Sequence, residues 1–253
     1  MRIIISPAKK MNVDRDTFPW RALPRFLPRT EALLARLREM EYHELKALWK
    51  CNDQIAKLNF ERLQAMDLHF NLTPAVLSYE GIQYRYMAPG VFTDRELTYV
   101  EEHLRILSGF YGLLRPFDGV TPYRLEMQAK LQICEAKDLY GFWGNAIADS
   151  LFGESHCILN LASREYSRSV SPYLPGGASL ITCVFAERKG GKLIEKGTMC
   201  KMARGEMVRY MAQHQIEDPA RVRDFHRLGY LYVSEESGPD TYVFVKAGDD
   251  TSG

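Results

Sequence analysis

The 253-residue sequence predicts a single domain of mixed α/β or α+β architecture. Helical periodicity is concentrated early in the chain and β-branched segments late, without regular alternation of strand and helix. No internal repeat, low-complexity linker or change of composition marks a domain boundary. We therefore expect one domain over residues 1–247, followed by a frayed tail at 248–253.

The first elements are a short strand and a set of helices. The segment Arg2–Ser6 is a β-branched run closed by Pro7, which predicts an edge strand followed by a lysine-bearing loop. Apolar residues then recur at helical spacing over residues 30–66, with interruptions near Tyr42 and Asn52. This pattern predicts three amphipathic helices.

The middle of the chain contains the best-marked helix start. Before it, "VLSYEG" and "IQYRYM" alternate around Gly81 and are interpreted as strands. Thr93 and Glu96 have the spacing of a capping box, which predicts a helix that begins there and ends at Gly109. Gly109 and Gly112 permit positive φ and close backbone approach, so we expect a helix-hairpin-helix-like element at this turn.

The second half of the chain carries clear signals for both strands and helices. "DLYGFWGNAIADSLF" predicts a helix, "CILNL" a buried strand, and the following residues a short helix capped at Ser163. "LITCVFAER" predicts a strand that ends in a "KGGK" hairpin turn. "TMCKMARGEMVRYMAQHQ" predicts a long helix, and "YLYVSEESGPDTYVFVKA" a final hairpin.

The charge balance limits the classes of partner. Lys and Arg total 33 against 32 Asp and Glu, so attraction to a polyanion requires a local basic patch. Residues 181–215 hold seven basic and three acidic residues, a net charge of +4. No apolar run approaches the roughly 18 residues that span a bilayer, and the first ten residues lack a signal-peptide core. We expect a cytoplasmic protein with no membrane partner, and a monomer.

Metal, cofactor and familiar catalytic motifs are absent from the sequence. The six histidines include no His-x-x-x-His or Glu-x-x-His spacing, and the five cysteines include no Cys-x-x-Cys pair. Phosphate loops of Walker or Rossmann spacing and a Gly-x-Ser-x-Gly motif are also missing. The sequence therefore predicts no protein-built metal site and no cofactor.

Small polar and basic residues occur where predicted strands or turns meet helices. Backbone N–H groups at such junctions, with Lys and Arg nearby, are typical of anion-binding clefts. Taken singly, each residue also fits a plainer role as a helix cap, an ion-pair partner or a solvated charge. The residues are Ser6, Lys9, Asn160, Ser163, Lys201 and Arg204.

The segment 103–127, "HLRILSGFYGLLRPFDGVTPYRLEM", supports two interpretations. Arg115 and Arg124 place positive charge on either side of a turn, as in elements that contact a nucleic acid backbone without reading sequence. The alternative is a buried corner in which the aromatic residues pack and Arg124 pairs with Glu126 or Asp118.

The chain resembles the bacterial YaaA family of peroxide-stress resistance proteins. The resemblance is carried, in order, by "ISPAK", the segment 103–127, "DLYGFWG", "NLASREY", "VFAERKGGK" and "KMARGEMVRYM". It implies a mixed α/β fold of the family's own, with a basic cleft and a helix-hairpin-helix element that binds DNA. It also implies protection against hydrogen peroxide through limitation of free iron. The residues at motif positions are Ser6, Lys9, Gly109, Gly112, Arg124, Glu126, Asn160, Ser163, Lys201 and Arg204.

Two functions remain open from the sequence. The first is binding of double-stranded DNA without strong sequence specificity, as part of the peroxide stress response. The second is an enzyme that acts on a phosphorylated or nucleotide-like small molecule, with Lys9, Glu126 and Lys201 as candidate catalytic groups. An open groove would favour the first function, and a closed pocket the second.

Overall fold

The computed structural model describes residues 1–247, so the tail expected at 248–253 lies outside the described residues. The strands are β1 (Arg2–Ile5), β2 (Lys10–Met11), β3 (Thr73–Pro74), β4 (Tyr79–Glu80), β5 (Leu104–Ser108), β6 (Gly112–Leu114), β7 (Gly119–Val120), β8 (Cys157–Leu161), β9 (Ser179–Lys189), β10 (Lys192–Ile194), β11 (Tyr230–Tyr232) and β12 (Thr241–Lys246). The α-helices are α1 (Leu27–Arg38), α2 (Tyr42–Trp49), α3 (Asp53–Ala65), α4 (Ala75–Ser78), α5 (Ile82–Met87), α6 (Asp94–His103), α7 (Leu139–Trp143), α8 (Ala146–Phe152), α9 (Arg164–Ser167) and α10 (Gly197–His214).

A mixed, mainly parallel sheet forms the centre of this α/β domain. Its strand order is β11-β12-β9-β8-β1-β5-β6, and β10 pairs with β9. The strands β12, β9, β8, β1 and β5 are parallel to their neighbours in that series, whereas β6, β10 and β11 are antiparallel additions. The mixed α/β class predicted from the sequence is confirmed.

Strand β1 lies at the centre of the sheet, between β5 and β8, so the prediction of an edge strand is wrong. Ile3, Ile4 and Ile5 are all fully buried. A run that is apolar at every position is typical of a parallel strand covered on both faces. The following Pro7 interrupts pairing only after the strand has ended.

The helices α1, α2 and α3 match the three that helical spacing predicts between residues 30 and 66. Their apolar faces supply Leu33, Leu45 and Leu63 to the core. The Asn52 side chain accepts a hydrogen bond from the Ile55 N–H at 3.0 Å and so caps α3. The interruption seen in the sequence at Asn52 is therefore a helix start.

Helix α6 begins at the expected capping box but ends earlier than predicted. Glu96 accepts a hydrogen bond from the Thr93 N–H at 2.7 Å, which confirms the start. The helix ends at His103, and the residues predicted to continue it form the β5–β6 hairpin. All residues of β5 are buried beside β1, so sheet pairing outweighs local helix propensity. A helix-hairpin-helix element is not confirmed in this segment.

Helix α5 replaces the strand expected at "IQYRYM". Its packing against α10 explains the difference, because a side-chain carbon at Gly205 of α10 would collide with the carbonyl group of Gln83. The close crossing of the two helices requires glycine at that position. The strand expected at "VLSYEG" is wrong in its first half, because residues 76–78 belong to helix α4, and only Tyr79–Glu80 pairs as strand β4.

The remaining predictions for the second half agree with the structure, with two differences. Helix α9 follows Ser163, but the Ser163 side chain forms no capping hydrogen bond and its Oγ lies 3.2 Å from the Ser6 Oγ. The helix predicted from "DLYGFWGNAIADSLF" is split into α7 and α8 at Gly144, whose φ is +51°. The "KGGK" turn joins β9 to β10 through two glycines with positive φ, as hairpin turns require. Strands β11 and β12 form the predicted final hairpin. Within residues 1–247, no helix is both long and apolar enough to cross a membrane.

Candidate functional site

Two loops meet at the carboxyl ends of the neighbouring parallel strands β1 and β8. The Ser6 Oγ accepts a hydrogen bond from the Ser163 N–H at 2.8 Å and lies 3.2 Å from the Ser163 Oγ. Tyr84 of α5 donates its hydroxyl to the Ser6 carbonyl at 3.0 Å. These contacts join residues from three distant parts of the chain, at the edge where open α/β sheets commonly bind ligands.

A cavity of about 390 Å³ opens at this edge, and we call it the carboxyl-edge cavity. Most of the polar residues singled out in the sequence line it. Those residues are Ser6, Lys9, Arg124, Glu126, Ser163, Lys201 and Arg204. These residues come from four separate chain segments and lie close together around one cavity. The volume of the cavity is typical of a small-molecule site.

Glu126 holds two of the basic side chains at the cavity wall. Its Oε2 lies 2.8 Å from the Lys9 Nζ, and its Oε1 lies 3.4 Å from a terminal nitrogen of Arg124. The same Arg124 nitrogen also lies 3.4 Å from the carbonyl oxygen of Trp49. Arg124 therefore pairs with Glu126, as the interpretation of residues 103–127 as a buried corner predicts.

Other donors at the cavity have no acceptor. The Nε atoms of Arg124 and Arg204 are buried and form no hydrogen bond. Within residues 1–247, Lys201 and Arg204 form no ion pair with any carboxylate. A buried donor without an acceptor costs roughly 1–3 kcal/mol, and more when it belongs to a charged group. The terminal nitrogens of these guanidinium groups are not among the buried unpaired atoms, and they are the groups that an anion in the cavity would contact.

The helix crossing of α5 and α10 places Lys201 and Arg204 over the cavity. The two residues are three apart on α10 and therefore share one helix face. Gly205 brings that face against α5. Gly205, next to Arg204, therefore allows the close approach of α5 and α10, which helical periodicity alone does not predict.

Glu165 is a cavity residue that the sequence interpretation missed. It lies two positions after Ser163, and its Oε1 accepts a hydrogen bond from the Gln128 N–H at 3.3 Å. Burial raises the pKa of Glu165, and the nearby charge of Glu126 acts in the same direction. A carboxyl group with a raised pKa beside cations is suited to proton transfer or to hydrogen bonding with an anion. Its place in the "NLASREY" motif was the available signal.

Tyrosines form the less polar wall of the cavity. Tyr84, Tyr123 and Tyr166 line it, and burial raises the pKa of each phenol, that of Tyr123 to about 12. The Tyr123 hydroxyl lies 2.6 Å from the Ser108 Oγ and 2.9 Å from the Tyr79 hydroxyl. These buried, neutral side chains make this part of the lining less polar than the part formed by the lysines and arginines. The sequence interpretation missed Tyr84 as a cavity residue because it assigned "IQYRYM" to a strand.

Gly109 lies behind the segment that carries Arg124 and Glu126. A side-chain carbon at Gly109 would lie 2.6 Å from the carbonyl oxygen of Leu125, closer than packed atoms approach. The Trp143 Nε1–H donates to the Gly109 carbonyl at 3.0 Å. Gly109 therefore lets the backbone of residues 125–127 pack directly against the end of β5, and supports the cavity from outside.

Three other residues chosen from the sequence lie away from the cavity. Gly112 has a φ of +75° and packs against Trp143 in the β5–β6 turn. Arg115 follows β6 and lines a different cavity. Asn160 is buried within β8, where its amide donates to the Thr182 Oγ1 at 3.2 Å and its Oδ1 accepts the Ala162 N–H at 2.9 Å. Asn160 shapes the end of β8.

The chain was compared with known families and curated proteins. The family model described as "Peroxide stress protein YaaA" matches residues 1–236. The chain belongs to this family. It is 54% identical over 246 residues to a UPF0246 protein of Lachnoclostridium phytofermentans, covering 97% of this chain and 96% of that protein. The chain is 53% identical over 246 residues to a UPF0246 protein of Agathobacter rectalis, and the alignment covers 97% of this chain and 99% of that protein.

Family membership extends over nearly all of the fold. The chain is 49% identical over 246 residues to a UPF0246 protein of Pediococcus pentosaceus, and the alignment covers 97% of this chain and 98% of that protein. The matched family region, residues 1–236, contains every residue described above for the carboxyl-edge cavity. The resemblance inferred from the sequence motifs is confirmed.

Proposed function

We propose that the chain is a cytoplasmic protein of the peroxide stress response that binds a phosphate-containing small molecule in the carboxyl-edge cavity. The family description supports the stress role. One observation carries the ligand class: Lys201 and Arg204 line this cavity and form no ion pair with a carboxylate within residues 1–247. Forked guanidinium groups are matched to phosphate oxygens.

The charge of the cavity lining agrees with an anionic ligand. Five basic residues line it against three acidic residues, a net charge of +2 with every group ionised. The basic residues are Lys9, Lys10, Arg124, Lys201 and Arg204, and the acidic residues are Glu80, Glu126 and Glu165. Two of the acidic groups already pair with lysines, Glu80 with Lys10 at 2.7 Å and Glu126 with Lys9 at 2.8 Å. Lys201 and Arg204 remain for the ligand.

Each cavity wall has a separate role in this proposal. Lys201 and Arg204 bind the phosphate, and the tyrosine wall contacts the organic part of the ligand. Glu126 keeps Arg124 and Lys9 in place. Glu165, whose pKa burial raises, accepts or donates a proton if the bound molecule reacts. Limitation of iron-dependent damage, which the family resemblance implies, is part of this proposal.

The test is a thermal-shift series with adenosine monophosphate, adenosine triphosphate and inorganic pyrophosphate. A probe at 100 times its dissociation constant stabilises the folded protein by about 2.7 kcal/mol. We expect at least one probe to raise Tm, and Lys201→Ala and Arg204→Met to abolish most of that rise. Lys57→Ala, an exposed lysine on α3 outside the cavity, is the matched control. No stabilisation by any of the three probes would contradict the proposal.

Double-stranded DNA is a second candidate ligand, favoured by exposed lysines near the cavity mouth and on the β9–β10 hairpin. Lys189, Lys192 and Lys201 are exposed. In this alternative, duplex affinity falls steeply with salt, and Lys201→Ala reduces the slope of log affinity against log salt by about 1. Fluorescence polarisation with a mixed-sequence duplex measures that slope, and an affinity independent of salt would exclude this alternative.

A further inference from the structure

A second cavity, of about 250 Å³, lies at the opposite ends of the parallel strands, and we call it the amino-edge cavity. Arg105 at the start of β5 and Glu154 just before β8 line it, whereas the carboxyl-edge cavity lies beyond the other ends of those strands. The two cavities share no lining residue. A ligand in one therefore makes no contact with the residues of the other.

The mouth of the amino-edge cavity holds two arginines that have no carboxylate partner within residues 1–247. Arg25 and Arg115 are both exposed and both line the cavity. The ion pairs of this region involve Glu154 with Arg2 and Arg105. The guanidinium groups of Arg25 and Arg115 are thus available to a carboxylate in the forked geometry that this pair of groups prefers.

The inner part of the cavity holds polar groups with free hydrogen-bonding capacity. Ser150 is 7% exposed, and its buried Oγ has no hydrogen-bond partner. Asp118 is 3% exposed, and its Oδ2 accepts the Arg115 N–H at 2.8 Å. A buried hydroxyl without a partner is unusual in a folded protein. A hydrogen-bond donor on a ligand would find a hydroxyl and a carboxyl oxygen here.

Leucine side chains form the apolar part of the lining. Leu23, Leu113 and Leu114 line the same cavity, and the two residues from β6 are buried. The lining therefore combines two exposed guanidinium groups, an apolar surface and buried polar groups. This combination of groups sets the chemistry of a molecule that would contact all three.

We propose that the amino-edge cavity binds a small carboxylic acid that carries a hydrogen-bond donor next to its carboxylate, an α-amino or α-hydroxy acid. The carboxylate pairs with Arg25 and Arg115, and the carbon chain contacts the leucines. The amino or hydroxyl group bonds to Ser150 and Asp118. A donor that meets an otherwise unpaired buried group accounts for selectivity over acids that lack it.

Three probes of similar size separate the parts of this proposal: L-alanine, L-lactate and propionate. Saturation-transfer NMR on their methyl groups reports binding to the full-length protein at millimolar concentrations. We expect alanine or lactate to bind at least about tenfold more tightly than propionate, the effect of one hydrogen bond to a charged group. The tighter of the two identifies the donor as an amino or a hydroxyl group.

Two variants test the assigned contacts. Ser150→Ala removes a hydroxyl that makes no hydrogen bond, so the fold is retained and the preference over propionate is lost. Arg115→Gln changes an exposed side chain, keeps the backbone N–H that binds Asp118, and weakens all bound probes by about tenfold.

The control and the contrary results are specific to this cavity. Lys201→Ala, in the carboxyl-edge cavity, leaves the binding of alanine and lactate unchanged, whatever its effect on phosphate probes. Equal affinity for propionate, loss of binding in Lys201→Ala, or no binding of any probe would overturn the proposal. So would unaltered binding in both Ser150→Ala and Arg115→Gln.

Discussion

Arginines with buried guanidinium nitrogens differ in their pairing between the two ends of the parallel strands. At the amino end, Arg105 donates to Glu154 at 2.8 Å and to two backbone carbonyl groups, and Arg2 shares the same carboxylate at 2.9 Å. At the carboxyl end, the Nε atoms of Arg124 and Arg204 have no partner. Burial of an arginine is therefore not by itself a sign of a binding site, whereas burial without an acceptor is.

The largest expected effect comes from removal of the carboxylate that neutralises the amino end. Glu154→Gln leaves Arg105, whose side chain is 5% exposed, buried beside Arg2 without its ion-pair partner, and Asp118 is then the nearby carboxyl group that still acts on it. We expect a loss of about 3–5 kcal/mol in the free energy of unfolding, measured by urea denaturation. Glu39→Gln, which breaks the exposed pair with Arg36, is the control and should cost less than about 1 kcal/mol. Equal losses in both variants would remove the contrast between the two ends of the strands.

An intermediate effect is expected from the pH dependence of stability at Asp118. Burial raises the pKa of Asp118 to about 6, although the Arg115 N–H and the charges of Arg115 and Arg105 oppose the shift and Glu154 supports it. Between about pH 4 and pH 6 the folded protein therefore holds a proton that the unfolded chain has released. The stabilisation from this group is complete below pH 4 and is lost as the pH rises through 6.

Asp118→Asn isolates that contribution. Relative to the variant, the wild-type free energy of unfolding should rise by up to about 3 kcal/mol as the pH is lowered from 7 to 4. The asparagine keeps an oxygen that can accept the Arg115 N–H, so the turn is retained. Denaturant titrations of both proteins at pH 4, 5, 6 and 7 measure the difference. Parallel stability curves would show that the carboxyl group is not shielded from water.

The smallest expected effect on stability comes from an arginine at the carboxyl end. Arg204→Met keeps much of the apolar stem and removes a guanidinium group whose Nε is buried without a partner. We expect the free energy of unfolding to stay within about 1 kcal/mol of the wild type, because the variant also removes a desolvated donor. Urea denaturation without ligand measures it. A loss as large as that of Glu154→Gln would make Arg204 a structural residue and end the distinction between the two ends.

Much of the site was predictable because its residues follow recognisable strand and helix boundaries. Ser6 and Ser163 come just after two apolar runs, and parallel strands end at a common edge, so their meeting follows from the fold class. Glu165 and Tyr84 were missed because their approach to the cavity depends on tertiary packing. Asn160 met the same sequence criterion as Ser163, but its side chain bonds to the neighbouring strand β9.

The fold was predictable where one periodicity dominated and misread where two competed. The residues of β5 continue the helical spacing of α6, and only their pairing with β1 makes them a strand. The sequence "IQYRYM" alternates like a strand, but its contact with Gly205 on α10 makes it a helix. In both cases the deciding partner lies about 100 residues away in the chain, beyond the reach of local propensity.

The central position of β1 also governs the order in which the molecule can assemble during synthesis. Ile3 pairs with Leu104 on one side and with Leu159 on the other. Strand β1 is therefore synthesised before either of the strands with which it pairs. At roughly 5–20 residues per second, the first of them follows about 5–20 seconds later and the second after a further few seconds. During that interval a three-isoleucine segment has no strand partner, and contacts of such long range slow folding. Nascent chains of this family are therefore expected to need protection from aggregation until β8 has been translated.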